Sequence, residues 1–151
     1  MSDLTIDMPS PSSIELHFKK LTAPMYASHL LDIVGALVVS QTQRRIHEEK
    51  RAPDGTEWDD WSDAYAGHKH GAKGHEPHPG QLRNADGHSL LELFGNLLTS
   101  ITHVVHDNEV EIGSNLVYAG AQNMTRPFLG LSDANESELD RLVSSYLETL
   151  L

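Results

Sequence analysis

One apolar stripe constrains the fold of this 151-residue chain more than any other feature. Between residues 25 and 50, apolar side chains recur at the three- and four-residue spacing of a helix, at Leu30, Ile33, Val34, Leu37, Val38 and Ile46. Pro24 suits the first turn of a helix, and Pro53-Asp54-Gly55 is a turn that closes the far end. The pattern predicts a helix of about 25 residues and about 40 Å. In so small a domain, such a helix is either a scaffold or a surface for neighbouring molecules.

Three short segments alternate apolar and polar residues, which is the period of a half-buried strand. The first is Ile14–Lys20, and the other two are Ile101–His106 and Glu109–Gly113. Asp107-Asn108 separates the last two segments and suits a tight hairpin turn. These segments predict a small, mostly antiparallel sheet.

A second helix is predicted near the C-terminus. Asn135-Glu136-Ser137-Glu138 has the form of a capping box, which opens a helix. The residues after it place apolar side chains on one side, at Leu139, Leu142, Val143, Tyr146 and Leu150. We therefore expect an α+β fold, in which the long N-terminal helix and the C-terminal helix pack on the small sheet.

Two segments lack a packing pattern. Residues 1–13 are rich in Ser, Pro and Asp, and they predict a flexible N-terminal arm. Residues 54–89 hold both tryptophans and then a run of Gly, His and Pro, which predicts a long exposed loop that orders on meeting a partner. Residues 14–151 are expected to form a single domain that carries this loop.

The composition argues against several classes of protein. The net charge is −11, from 11 basic and 22 acidic residues, which is unfavourable for coating phosphate backbones, and no sequence-specific nucleic acid partner is expected. No apolar run approaches the roughly 20 residues of a membrane span, so no membrane partner is expected. The chain has no cysteine and begins without a signal-peptide pattern, so we expect synthesis in the cytoplasm. Arg44-Arg45 is interpreted as surface charge near a helix C-terminus.

Four histidines are the strongest candidates for a metal site. His68, His70, His75 and His78 lie in the glycine-rich loop and supply the ligand number of a tetrahedral zinc site. However, no buried apolar strand precedes them, and a glycine-rich loop is costly to order. A solvated or partner-contacting loop is therefore favoured, and a metal-binding protein or hydrolase is the alternative.

Other catalytic patterns are absent from the sequence. The acidic residues between Asp54 and Asp63 do not follow the spacing of a calcium loop, and the glycines form no phosphate-binding pattern. No serine lies in a Gly-x-Ser-x-Gly elbow. Trp58 and Trp61 are expected to pin the loop onto the domain rather than to stack on a ligand. We predict no catalytic residue and no cofactor, and we favour an interaction protein.

An ordered series of short motifs runs through about residues 25–150. The series is Arg44-Arg45, Pro53-Asp54-Gly55 with Trp58, Gly95-Asn96-Leu97 with Ser100-Ile101, Val110-Glu111-Ile112-Gly113, Tyr118-Ala119, and Arg126-Pro127-Phe128-Leu129-Gly130. Each motif alone is unspecific. The ordered set resembles the phage virion morphogenesis, or tail-completion, family of Mu-like tailed bacteriophages.

The resemblance implies a structural virion protein of the tail or neck rather than an enzyme, made in the host cytoplasm. It implies action at the head-proximal end of the tail, in tail completion or head–tail joining. The expected form is a homo-oligomeric ring, with six subunits as the expected number, and the expected partners are further copies of the chain and other phage neck and tail proteins. An assembly chaperone that is absent from the finished virion is the alternative.

The motifs also supply a candidate interface. The small residues after Tyr118 permit another backbone to approach closely, and Arg126 follows them, so we expect this stretch to face a neighbouring subunit. Phe128 and Leu129 are expected in the core. The full set of candidate interface residues is Tyr118, Ala119, Gly120, Ala121, Gln122, Asn123, Arg126, Arg44, Arg45, Trp58 and Trp61.

Overall fold

A four-stranded antiparallel sheet and the helix that packs on it form the frame of the protein. The computed structural model describes residues 4–18, 24–58 and 96–149. In chain order the elements are β1 (Leu4–Ser10), β2 (Ser13–Phe18), α1 (Pro24–Arg44), a π-helical turn (Arg45–Glu49), α2 (Asn96–Ser100), β3 (Thr102–His106), β4 (Glu109–Gly113), α3 (Ala119–Thr125) and α4 (Asp133–Thr149). The predicted α+β class is confirmed. Within the described ranges, no helix has the length and apolar character needed to cross a membrane.

The strands lie in the order β1-β2-β4-β3, and each neighbouring pair is antiparallel. In the β3–β4 hairpin, Asp107 adopts a left-handed backbone conformation with φ of 47°, which suits a tight turn. β2 and β4 pair with Ile14 opposite Ile112, so alternate residues of both strands share one buried face. This face and α1 supply much of the core, which includes Ile14, Leu16, Phe18, Leu30, Leu31, Val34, Val38, Val110 and Ile112.

The first strand corrects a prediction. Residues 4–10, expected to belong to a flexible arm, form β1 and pair with β2. Ile6 lies opposite Leu16, so β1 extends the face of the sheet that carries the core. Pro9 is compatible with this position because β1 is an edge strand, and one side of an edge strand makes no ladder hydrogen bonds.

Helix α1 comes close to the sheet at Gly35. A Cβ atom at this position would lie 2.8 Å from Cγ2 of Val110, and it would also clash with the ring of His103. The imidazole Nε2 of His103 lies 2.8 Å from Oδ1 of Asp32, which is on the preceding turn of α1. The glycine that interrupts the apolar stripe therefore lets the helix reach β3 and β4.

Helix α4 begins earlier than the capping pattern predicted, at Asp133. The backbone N–H of Asn135 donates to Oγ of Ser132 over 3.1 Å, and the backbone N–H of Ser132 donates to Oδ1 of Asn135 over 3.1 Å. This reciprocal pair is a capping box in which Ser132 is the N-cap and Asn135 is the third helical residue. The interpretation of Asn135 as the N-cap is therefore wrong. Leu139 is buried where α4 packs on α1.

Candidate functional site

Residues 127–130, here named the clamped segment, have neither helical nor strand structure. Buried backbone groups in such a segment need partners from elsewhere in the chain. Three side chains supply them, and all three are buried: Arg45 after α1, Trp58 beyond the following turn, and Asn123 on α3. The motif Arg126-Pro127-Phe128-Leu129-Gly130 is therefore anchored to three separate parts of the domain.

Asn123 binds both the clamped segment and the turn between β1 and β2. Its Oδ1 accepts hydrogen bonds from the backbone N–H groups of Phe128, at 2.9 Å, and Leu129, at 3.0 Å. Its Nδ2 donates to the backbone oxygen of Pro11 over 3.0 Å. The side-chain amide thus joins two distant pieces of backbone, and its burial follows from that role.

Trp58 fixes the start of the clamped segment. Its indole Nε1 donates to the backbone oxygen of Pro127 over 2.8 Å, and its ring is buried in the core. Trp58 thus pins this part of the chain onto the domain as predicted, but its burial means that it is not available as the exposed interface contact that was also predicted for it. Trp61 and the rest of the predicted loop beyond Trp58 lie outside the described residues.

Arg45 is the largest fully buried side chain in the described part of the molecule, with 0% exposure. One terminal nitrogen donates to the backbone oxygens of Phe128, at 2.7 Å, and Gly130, at 3.1 Å, while the other donates to Oδ1 of Asn135. Its Nε has no hydrogen-bond partner among the described residues. Burial lowers the pKa of Arg45 from its ordinary value, and the nearby Glu49 carboxylate acts in the opposite direction.

The interpretation of Arg45 as a surface charge is wrong, and so is its expected place in an exposed interface. The physical reason is its position on the inner side of the chain, next to the buried Ile46. Arg44 points the other way: it is exposed, and its guanidinium lies 3.8 Å from the Glu138 carboxylate on α4. Only one of the two adjacent arginines is therefore available to a partner.

The end of the clamped segment depends on Gly130, whose φ of +137° lies in a region that side chains rarely adopt. A Cβ atom there would also lie 2.8 Å from Cγ of Pro53. Pro53 begins the turn in which the backbone N–H of Thr56 donates to Oδ1 of Asp54 over 2.9 Å. The hydrogen bond from the Thr56 N–H, followed by one from its hydroxyl, lowers the pKa of Asp54. Two motifs that lie far apart in the sequence thus meet at Pro53 and Gly130.

The small residues of α3 do permit a close approach, but the chain that approaches is the protein's own. A Cβ atom at Gly120 would lie 3.2 Å from Cβ of Pro11, in the turn between β1 and β2. Ala119 is completely buried, and Asn123 is buried with its polar atoms bonded. These two residues therefore act inside the subunit and are not available as exposed contacts. Gln122 is half-buried.

Beside this buried side, α3 and the turn before it present an apolar surface to solvent. Val117 is fully exposed, Met124 is 75% exposed and Tyr118 is 45% exposed, and Ala121 is exposed as well. We name these four residues the α3 surface. The interface prediction covered Tyr118 and Ala121 but missed Val117 and Met124. The sequence signal that could have indicated Met124 is its three-residue spacing from Ala121, which places both residues on one face of a helix.

The remaining predicted site residues are placed as follows. Arg126 is half-buried, and its backbone N–H donates to the oxygen of Gln122 over 2.7 Å. The candidate metal ligands His68, His70, His75 and His78 lie outside the described residues. Within the ranges that are described, no group of three or more His, Asp or Glu side chains is placed to hold a metal ion. What the described arrangement offers is a rigidly held apolar surface.

Comparison with known proteins identifies the family. The sequence model of the phage virion morphogenesis family matches residues 11–148, which include the three clamping side chains, the clamped segment and the α3 surface. Neither a curated protein nor a solved structure matches the chain. Because the family model covers most of the sequence, from the turn after β1 to the end of α4, the chain belongs to the phage virion morphogenesis family.

Proposed function

We propose that this protein is a structural component of a tailed-phage virion that acts at the head-proximal end of the tail, in tail completion or head–tail joining. Membership of the phage virion morphogenesis family supports a structural or assembly role in the virion. In the proposed role the protein is a virion component of the tail or neck. Its work is to bind other proteins, and no step of catalysis is assigned to it.

The observation that carries the proposal is the α3 surface. Val117 and Met124 are large apolar side chains held in water, and Tyr118 lies beside them. Grouped apolar exposure of this kind marks surfaces that bind other proteins. The surface is also held in place, because Ala119 and Asn123 are buried on the other side of the same helix. A fixed apolar surface loses little conformational freedom when a partner covers it.

The proposed occupants of such surfaces are further copies of the chain, in a closed ring expected to have six subunits, and the neighbouring neck and tail proteins. A head-to-tail contact between identical subunits generates a ring when the rotation closes. The net charge of −11 keeps free subunits soluble before assembly and opposes nonspecific binding to nucleic acid.

The test is complementation of a phage that lacks this gene. Val117→Glu and Met124→Glu each add a carboxylate to the α3 surface, where the free subunit leaves it in water but a partner would bury it. We expect both variants to melt near the wild-type temperature and to lower phage yield by orders of magnitude, with unjoined heads and tails in electron micrographs. Leu147→Glu is the matched control, since Leu147 is also an exposed apolar residue but lies on α4.

Two results would overturn parts of the proposal. Wild-type phage yield with both α3 surface variants would show that the surface has no role in assembly. Mass spectrometry of purified particles tests the virion role itself. If the protein is required for phage yield but missing from particles, it is an assembly chaperone and not a structural component.

A further inference from the structure

Strand β3 has no neighbour on its outer side among the described residues, because the strand order places it at one edge of the sheet. An edge strand presents a row of free backbone N–H and C=O groups that can pair with another strand. Natural proteins protect such edges with lysine, proline, inward-pointing charge or a bulge.

Strand β3 carries no lysine, proline or bulge, and its inward-pointing His103 is paired with Asp32 of α1. The sequence Thr102-His103-Val104-Val105-His106 has no lysine, no proline and no carboxylate. Its register with β4 runs without a shift from end to end. Val104 is 49% exposed, so an apolar side chain stands at the open edge. A regular, β-branched, unprotected edge of this kind favours pairing with another chain.

The opposite edge, β1, is different. Its second half contains Pro9, and its register with β2 shifts between Asp7 and Ser10, so that half is protected. Its first half, Leu4–Asp7, pairs regularly with β2 and contains no proline. Within residues 4–18, 24–58 and 96–149, the sheet therefore has one edge that is open along its length and one edge that is open over only a few residues.

We propose that the outer edge of β3 pairs with β1 of a second copy of this chain, so that the sheets of neighbouring subunits join edge to edge. The proposal rests on the self-assembly proposed above and assigns it a specific contact. It is β-augmentation, in which backbone hydrogen bonds provide the binding and side chains set the register.

Strand direction supports this pairing. β1 is antiparallel to β2, β2 to β4, and β4 to β3, so β1 and β3 run in opposite directions. A second copy placed head to tail therefore brings its β1 antiparallel to β3 and continues the alternation of the sheet. Each copy then offers one edge and receives one, which is a heterologous contact, and such a contact forms a ring when the rotation between copies closes.

Charge favours the joining of β1 to β3 over the joining of β1 to a second β1. Four residues form one row across the sheet, because Asp7 lies opposite Glu15, Glu15 opposite Glu111, and Glu111 opposite Val104. All four side chains therefore share the face turned away from α1. His106, two residues beyond Val104, is on the same face. In the register that sets Asp7 opposite Val104, joining β1 to β3 places the Asp7 carboxylate diagonally beside the His106 imidazole, whereas joining β1 to β1 with Asp7 opposite Asp7 would place two carboxylates together, which is destabilising.

The test is site-directed cross-linking, and the chain suits it because it has no native cysteine. The variant carries Thr5→Cys on β1 and Val104→Cys on β3, and the reagent is a short bis-maleimide. Within one subunit the two strands are three strand spacings apart, about 14 Å, which exceeds the reach of the reagent. Cross-links in the double variant must therefore form between subunits.

We expect a ladder of covalent oligomers from the double variant that ends at the ring size, and no ladder from Thr5→Cys or Val104→Cys alone. Thr5→Cys combined with Ser144→Cys, an exposed position on α4, is the control and should give none. Efficient dimers from Val104→Cys alone would show that β3 pairs with β3, and the proposal would be overturned. It would also be overturned by no ladder from the double variant, or by an equal ladder from the control.

This result is separable from the test of function. A missing ladder together with loss of phage yield in the α3 surface variants would leave the virion role standing and remove only the edge contact. A clear ladder together with wild-type yield in those variants would establish the edge contact and remove the role of the α3 surface.

Discussion

The guanidinium of Arg45 donates a 2.7 Å hydrogen bond to the backbone oxygen of Phe128, which lies 83 residues further along the chain. A cation at the end of the first helical segment thus holds the loop that leads into the last helix. Its hydrogen-bond partners are carbonyl and amide oxygens, so the charge is solvated by dipoles in the interior. Removing a buried guanidinium that makes such hydrogen bonds lowers the free energy of unfolding more than removing one partner of a surface ion pair does.

Arg45→Met should therefore lower the free energy of unfolding by about 3 kcal/mol or more, because the backbone oxygens of Phe128 and Gly130 and Oδ1 of Asn135 each lose the hydrogen bond from the guanidinium. Urea denaturation of the purified protein measures this. Arg44→Met is the matched control: its partner Glu138 is 3.8 Å away at the surface, so a loss below about 1 kcal/mol is expected. Equal losses in the two variants would show that Arg45 does not hold the clamped segment.

Asn123→Ala should cost about 2–4 kcal/mol, because it leaves the N–H groups of Phe128 and Leu129 and the oxygen of Pro11 without their partner. Thermal melts and urea titration measure the loss. Gln122→Ala, at the half-buried position before it, should change stability by less than about 1 kcal/mol. A small effect of Asn123→Ala would mean that the two backbone pieces hold together without it.

Gly35→Ala should destabilise the protein by about 1–3 kcal/mol, since the new methyl group would overlap His103 and Val110. A loss of stability would be informative because alanine is intrinsically favoured over glycine in a helix by about 1 kcal/mol, so without the overlap a gain would be expected. Adding His103→Ala should reduce the penalty, and a double-mutant cycle measures that coupling. Ser40→Ala, at an exposed site on α1, is the control. Stabilisation by Gly35→Ala would show that α1 stands further from the sheet.

Asp54→Asn should destabilise the protein at neutral pH, and the difference from wild type should shrink in acid. The hydrogen bonds from Thr56 lower the folded-state pKa of Asp54 below its ordinary value of 3.8. A lowered folded pKa gives stability that is present above the unfolded pKa and is lost as the pH falls through the folded pKa. Melting temperatures of both proteins at pH 7 and near pH 3 measure the trend. A difference that grows in acid would contradict it.

Local pattern was enough for the hairpin of β3 and β4. Alternating residues and the Asp107-Asn108 turn placed both strands within a residue of their observed bounds, because a hairpin is specified by neighbours in sequence. β1 was missed because Pro9 and the nearby serines suggested a linker. Its pairing with β2 is permitted by its place at the sheet edge, which no local pattern reveals.

In the candidate site, too, local sequence patterns predicted some features, and contacts between distant parts of the chain were missed. The small residues at Ala119 and Gly120 correctly indicated a close approach, but the partner is Pro11 of the same chain, more than a hundred residues away in sequence. Arg45 and Arg44 are indistinguishable by composition, and only the fold shows which one turns inward. Contacts from a side chain to distant backbone leave no residue pattern, so sequence reasoning did not find them.

The π-helical turn at Arg45–Glu49 makes the helical phase of this chain dependent on a single residue. A π-helical turn can be described as an α-helical turn with one residue inserted. Deleting one residue after Arg45 would restore an α-helical count and rotate everything downstream by about 100°. Pro53 would then no longer face Gly130, and Trp58 would no longer reach the backbone oxygen of Pro127. Homologous chains with and without that extra residue should therefore differ in how the turn after the π-helical segment packs against the clamped segment.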